Sequence, residues 1–173
     1  LFCDAEGGYW LHRVQYLTHD PAQTDQDEAS QQCRQVAQFA RDLHLPAVSL
    51  ETNGLGRFLP GLLRRELAKL GYPCAVVEIA SRKAKDLRIV DAFDAVLAAG
   101  ALSAHRSVWT TPFIGEMREW RPGGKGRDDG LDAVAGCLLG QPVRLSRPGL
   151  KTAERADWRP GGGGMTAQTD FEL

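Results

Sequence analysis

No run in these 173 residues approaches the roughly 20 consecutive apolar positions that a membrane-spanning helix needs. The amino end also lacks the charged, then apolar, then small-residue succession of a secretion signal, so the chain is expected to be soluble and to have no membrane partner. Cys3, Cys33, Cys74 and Cys137 stand 30 or more residues apart, which offers no paired-cysteine zinc spacing and does not call for a disulfide framework. They read as buried, reduced thiols of an intracellular, cytoplasmic protein. His12, His19, His44 and His105 are equally scattered and read as strand and loop residues, so any metal would be held by oxygen. No Gly-x-x-x-x-Gly-Lys-Ser/Thr loop is present, which excludes a phosphate-loop nucleotidase within this chain. A net charge of −1 argues against coating nucleic acid through bulk charge. The initiator methionine is missing as well, as expected of a fragment or a processed chain.

At 43% hydrophobic residues, the chain is long enough to bury one real core. The expectation is one domain over residues 1–140. Residues 141–173, with Pro142, Pro148, Pro160 and four glycines from Gly161 to Gly164, would form an extended or flexible tail. Positive charge is gathered in two segments, Arg57, Arg64, Arg65 and Lys69, then Arg82, Lys83, Lys85 and Arg88, so an acidic polymer would meet patches.

The pattern alternates strands and helices. Leu1 to Cys3 and Tyr9 to Leu17 flank an acidic, glycine-bearing turn and predict a β-hairpin. Ala29, Cys33, Val36, Ala37 and Ala40 recur at helical spacing over 27–43. Ala47 to Glu51 reads as a short strand, and 58–70 as a helix with Pro60 in its first turn and Gly71 as its stop. Tyr72 to Ile79 predicts a buried strand, followed by a helix on which Ile89, Phe93, Val96 and Leu97 share a face and Gly100 is the C-cap. A short strand within 101–110, a short helix over 112–120 and a glycine-rich loop over 121–127 lead to a last helix at the triple-Asp segment. The fold class is therefore α/β, a mixed sheet flanked by helices.

Two acidic features stand out. Asp128, Asp129 and Asp132 are crowded at the start of a helix whose apolar stripe, Leu131, Val134, Ala135 and Leu138, faces away from them. One Asp suffices for an N-cap, and Asp128 is the expected one; the others invite a cation, although capping and the helix dipole are the rival explanation. Glu51 ends an apolar strand, where a charge needs solvent or a cation. It is either the first exposed residue of a loop or a ligand at the carboxyl end of a strand, where sites gather in open α/β sheets. A strand-end Glu combined with a later helix bearing Asp129 and Asp132 suits a hard divalent ion that takes few protein oxygens.

Val48-Ser49-Leu50-Glu51-Thr52-Asn53-Gly54, then Arg82 to Ile89, then Asp128-Asp129-Gly130-Leu131-Asp132-Ala133, taken in order, resemble the carboxyl-terminal nuclease domain of tailed-phage (prophage) terminase large subunits over about residues 1–140. The Asp129-to-Ala133 element is also similar to the last acidic motif of bacterial Holliday-junction resolvases. The resemblance implies an RNase H-like fold and a DNA endonuclease that cuts concatemeric genomes during DNA packaging, with two Mg²⁺ or Mn²⁺ ions. It makes Glu51, Asp129 and Asp132 the catalytic metal ligands, with Asp128 as cap or auxiliary ligand, and turns Arg82, Lys83, Lys85 and Arg88 toward the phosphates of double-stranded DNA. Those four are equally well read as a solvated loop and helix start.

The resemblance also implies partners: an upstream ATPase domain of the same polypeptide, and the portal or small terminase subunit. The family's first catalytic Asp lies on a strand before the opening hairpin, and Asp4, in the turn, does not match it. The expectation is a fold without its first strand, a site short of one ligand, weak metal binding and poor or absent cutting. Two other functions remain open: a non-catalytic docking or regulatory module using the tail, and a resolvase-like nuclease for branched DNA.

Overall fold

The computed structural model describes residues 1–140; the tail expected over 141–173 lies outside the described residues. The chain opens with β1 (Phe2–Cys3) and β2 (Tyr9–Leu11), an antiparallel hairpin. Asp4 locks its turn: one carboxylate oxygen accepts from the Glu6 and Gly8 amides at 3.0 and 2.7 Å, and the other from the Trp10 indole at 2.8 Å. The Trp10 hydrogen bond, then that from Gly8, holds the Asp4 carboxyl below its usual range. Asp4 thus serves the turn of the hairpin.

Helix α1 (Glu28–Asp42) begins where Asp27 accepts from the Ser30 amide at 2.7 Å. The loop before it has no periodic pattern, yet Gln31 fixes it from inside. The buried Gln31 amide accepts from the Asp20 amide at 2.9 Å and donates to the carbonyls of Asp20, Gln23 and Gln26 at 3.1 to 3.3 Å. Next come β3 (Ala47–Glu51), a 3₁₀ turn, and α2 (Leu59–Lys69), with Pro60 in its first turn and Gly71 leaving it at φ +60°. Strand β4 (Ala75–Ile79) pairs in parallel with β3, Glu51 opposite Ile79. Helix α3 (Lys85–Ala98) ends with Gly100 at φ +60°, one position past the Ala99 cap. Strand β5 (Leu102–Ala104), α4 (Phe113–Glu119) and α5 (Asp129–Leu139) complete the described chain.

The α/β class is as the alternation requires, but one element of the expectation needs correcting. The strands do not form one mixed sheet; they divide into a three-stranded sheet, β1-β2-β5, and a two-stranded sheet, β3-β4. Strands of two or three residues, as β1, β2 and β5 are, offer few ladder bonds, so side-chain packing decides how they are grouped. Packing follows the same division. Leu11, Ile89, Phe93, Val108, Phe113, Leu131 and Val134 form one core beneath α3, α4 and α5. Cys33, Ala37, Ala40, Leu63 and Leu67 form a second between α1, α2 and the β3-β4 sheet, and the two clusters share no residue. The thiols differ from expectation too: all four are free, but Cys137 is exposed and Cys74 half-buried. Among the described residues no helix is long and apolar enough to cross a membrane.

Candidate active site

Strand alternation along β3 turns Val48 and Leu50 inward and leaves Ala47, Ser49 and Glu51 exposed, so Glu51 ends the strand on its open face. Asn53 orients it. The Asn53 amide donates to Glu51 Oε1 at 2.7 Å and to the Ser81 carbonyl at 2.8 Å, tying the exits of β3 and β4 together. The chain leaving β4 then enters α3, which packs against α5.

Helices α3 and α5 run in step. Lys85, at the start of α3, lies opposite the start of α5, with Nζ 2.7 Å from Asp128 Oδ1 and 3.7 Å from Asp129 Oδ1. One turn further along both helices, Arg88 meets Asp132. Its Nε lies 2.9 Å from Asp132 Oδ1, and its Nη2 lies 2.6 and 2.7 Å from the two Asp132 oxygens. The same Nη2 reaches Glu51 Oε2 at 3.1 Å. The Arg88 side chain is only 11% exposed. The bond to Asp132, against the opposing effect of burial, strengthens its hold on the proton. At Lys85 burial works against the ammonium, but the hydrogen bond and charge of Asp128 outweigh it and hold the pKa above the usual lysine value.

The structure thus brings the candidate carboxylates together in two pairs. Glu51 and Asp132 converge on one guanidinium; Asp128 and Asp129 flank one ammonium, and Asp129 is 74% exposed. Among the described residues no group of three or more acidic, histidine or cysteine side chains is close enough to hold a metal ion. Of the four cations expected to face phosphate, Lys85 and Arg88 are turned onto carboxylates of their own chain. Lys83 pairs with Asp91, and Arg82 is exposed. Glu51 and Asp132 each place an oxygen within 3.1 Å of one Arg88 nitrogen, and carboxylate oxygen is the donor type that a hard cation takes.

Asp128 does stand at the N-cap position of α5, and its carbonyl accepts from the Asp132 amide at 2.9 Å, but the expected side-chain cap is not made. Its side chain makes no cap hydrogen bond to α5, because Lys85 engages it instead. The cap comes from Glu116 on α4, whose Oε2 accepts from the Gly130 and Leu131 amides at 2.9 and 3.2 Å. Glu116 is 5% exposed, and its other oxygen lies 4.0 Å from Arg127 Nε. The Tyr16 hydroxyl is buried against the same carboxylate, and burial together with that neighbour pushes the phenol pKa well above its usual value. Arg127 also lies over the Tyr16 ring, 5.3 Å from its centroid. Sequence reasoning missed both Glu116 and Tyr16. The available signal was Gly130, an unusual residue inside the first turn of a helix, which marks a close approach there.

Glu116→Ala is expected to cost about 1–3 kcal/mol by orphaning the two amides, whereas Glu116→Gln, which keeps an oxygen acceptor, should cost less. Thermal unfolding of the two variants checks this order.

Compared with known proteins, the chain matches no family model and no curated sequence.

Proposed function

We propose that this chain is a metal-dependent DNA endonuclease domain of a phage DNA-packaging terminase, with an RNase H-like arrangement and a site built on Glu51 and Asp132. The observation that carries the reading is the convergence of these two carboxylates, one from a strand end and one from a helix 81 positions later, on one guanidinium nitrogen of Arg88. Glu51 and Asp132 would hold a Mg²⁺ or Mn²⁺ ion, with Asp129 and Asp128 one helical turn away as further oxygen donors. When bound, such ions supply an activated water and a counter-charge for the leaving oxygen of a phosphodiester.

The residues of the chain do the remaining work. Asn53 fixes the Glu51 carboxylate, α5 carries Asp132 toward it, and the exposed Arg82 would meet the DNA backbone, which carries little base information. The terminase reading brings with it an ATPase elsewhere in the polypeptide, a portal or small-subunit partner, and the cytoplasm of a bacterial host. A second reading, a non-catalytic docking or regulatory module, is favoured by the ion pairs in which Lys85 and Arg88 already engage these carboxylates.

Nicking of supercoiled plasmid by the protein in its full natural length tests the first reading. Cutting is expected in Mn²⁺ or Mg²⁺, to vanish with chelator, and to fall at least about 100-fold in Glu51→Ala, beyond what losing a mere outer-shell partner of a metal ligand costs. Wild-type cutting by Glu51→Ala would remove Glu51 from the site, and no metal-dependent cutting at all would favour the docking module.

A further inference from the structure

We infer that Arg88 is an internal counter-ion that occupies the cation position of the site at rest, and that nucleic-acid phosphate draws it away, so that DNA and metal load together. The inference rests on the nuclease reading of this site and concerns its regulation. Arg88 Nη2 stands within 3.1 Å of both Glu51 and Asp132, and its Nε adds a bond to Asp132. A divalent ion cannot bind those oxygens while the guanidinium holds them. The side chain is also sheltered, at 11% exposure, so bulk solvent screens these bonds less than it screens a surface pair.

The charge count favours an exchange over simple expulsion. Among the described residues, the ion pairs of Glu51, Asp128, Asp129 and Asp132 are with Arg88 and Lys85, which leaves this network two negative charges in excess. An approaching phosphate is repelled by that excess but attracted by the two cations. A guanidinium fork matches phosphate as well as it matches carboxylate, so Arg88 can trade one oxyanion for another and keep charge-assisted hydrogen bonds throughout. The carboxylates it releases are then uncompensated and take up a divalent cation. Each ligand removes the obstacle to the other, so the coupling is positive and, by linkage, reciprocal.

The experiment measures Mn²⁺ binding, from loss of the free-ion electron paramagnetic resonance signal, with and without a short duplex carrying uncleavable phosphorothioate linkages. For the unaltered protein the duplex is expected to tighten Mn²⁺ binding on the order of tenfold. Arg88→Gln should bind Mn²⁺ on the order of tenfold more tightly than the unaltered protein in the absence of duplex. The duplex should then add under about twofold, because the obstacle is already gone. Arg88→Lys, which keeps the charge but loses the fork, should fall between and stands in if Arg88→Gln does not fold by circular dichroism. Equal or weaker Mn²⁺ binding by the folded Arg88 variants without duplex, with binding still lost in Glu51→Ala, overturns the counter-ion role alone and leaves Arg88 a static brace. No Mn²⁺ binding by any form, with or without duplex, overturns the nuclease reading as well.

Discussion

Asp132→Asn is expected to lower metal-dependent DNA nicking at least about 100-fold while the protein stays folded. Asparagine keeps the shape of the side chain, and its carbonyl can still accept from Arg88, but it carries no charge to attract a divalent ion. The stability cost should be small. The Asn oxygen still accepts from Arg88, so what is lost is the charge assistance of the hydrogen bond, about 1–2 kcal/mol. A large loss of cutting beside a small shift in melting temperature therefore separates a role in chemistry from a role in folding. Asp129→Asn is the internal comparison. Asp129 is 74% exposed and stands 3.7 Å from Lys85, so its loss should matter less than that of Asp132. Unchanged nicking in Asp132→Asn, with the fold intact, removes the residue on which the site depends.

Gly130→Ala is the substitution expected to damage the fold most. A Cβ at this position would stand 2.2 Å from the Tyr16 hydroxyl, 2.8 Å from Glu116 Oε2 and 3.1 Å from Tyr16 Cζ. Neither neighbour can withdraw cheaply: Glu116 is buried and caps α5, and the Tyr16 hydroxyl is buried between the helix start and Arg127. Alanine is ordinarily the better helix residue, so intrinsic preference opposes the prediction and makes its sign informative. Overpacking of this kind costs about 3 kcal/mol, the upper end of its usual range. At about 2–4 °C per kcal/mol for a chain of this size, melting should fall by roughly 6–12 °C. Adding Tyr16→Phe removes the nearest atom and should return part of the loss, which a double-mutant cycle reads directly. A melting temperature for Gly130→Ala at or above the unaltered value overturns the close approach.

Much of the local structure was legible because it is written locally. The alternation of Ala47 to Glu51 defines β3, Asp27 marks the start of α1, and Gly71 and Gly100 mark where α2 and α3 stop. The same locality placed Glu51 at a strand exit and Asp132 on the first turn of α5. What failed to appear was whatever depends on distant partners. Lys85 and Arg88 look identical in sequence whether they meet DNA or carboxylates 43 and 44 positions on. Glu116 sits in a short helix whose composition does not tell that its carboxylate serves the start of another helix 14 residues later, so the sequence shows Asp128 at the N-cap but not the side chain that satisfies the amides there. Gln31 likewise gives no sign that its amide holds an irregular loop together. The division of the strands into two sheets is of the same kind, for strands so short leave their grouping to side chains far away in the chain. The RNase H-like arrangement stays part of the functional proposal.

The two separate cores give the site an unusual mechanical position. Glu51 belongs to the body packed around α1 and α2, whereas Arg88 and Asp132 belong to the body packed around α3, α4 and α5. The contact of Arg88 with Glu51 is therefore a clasp across a seam. Because the carboxylates come from both sides of that seam, their alignment depends on how the two packing units meet, not on either core alone.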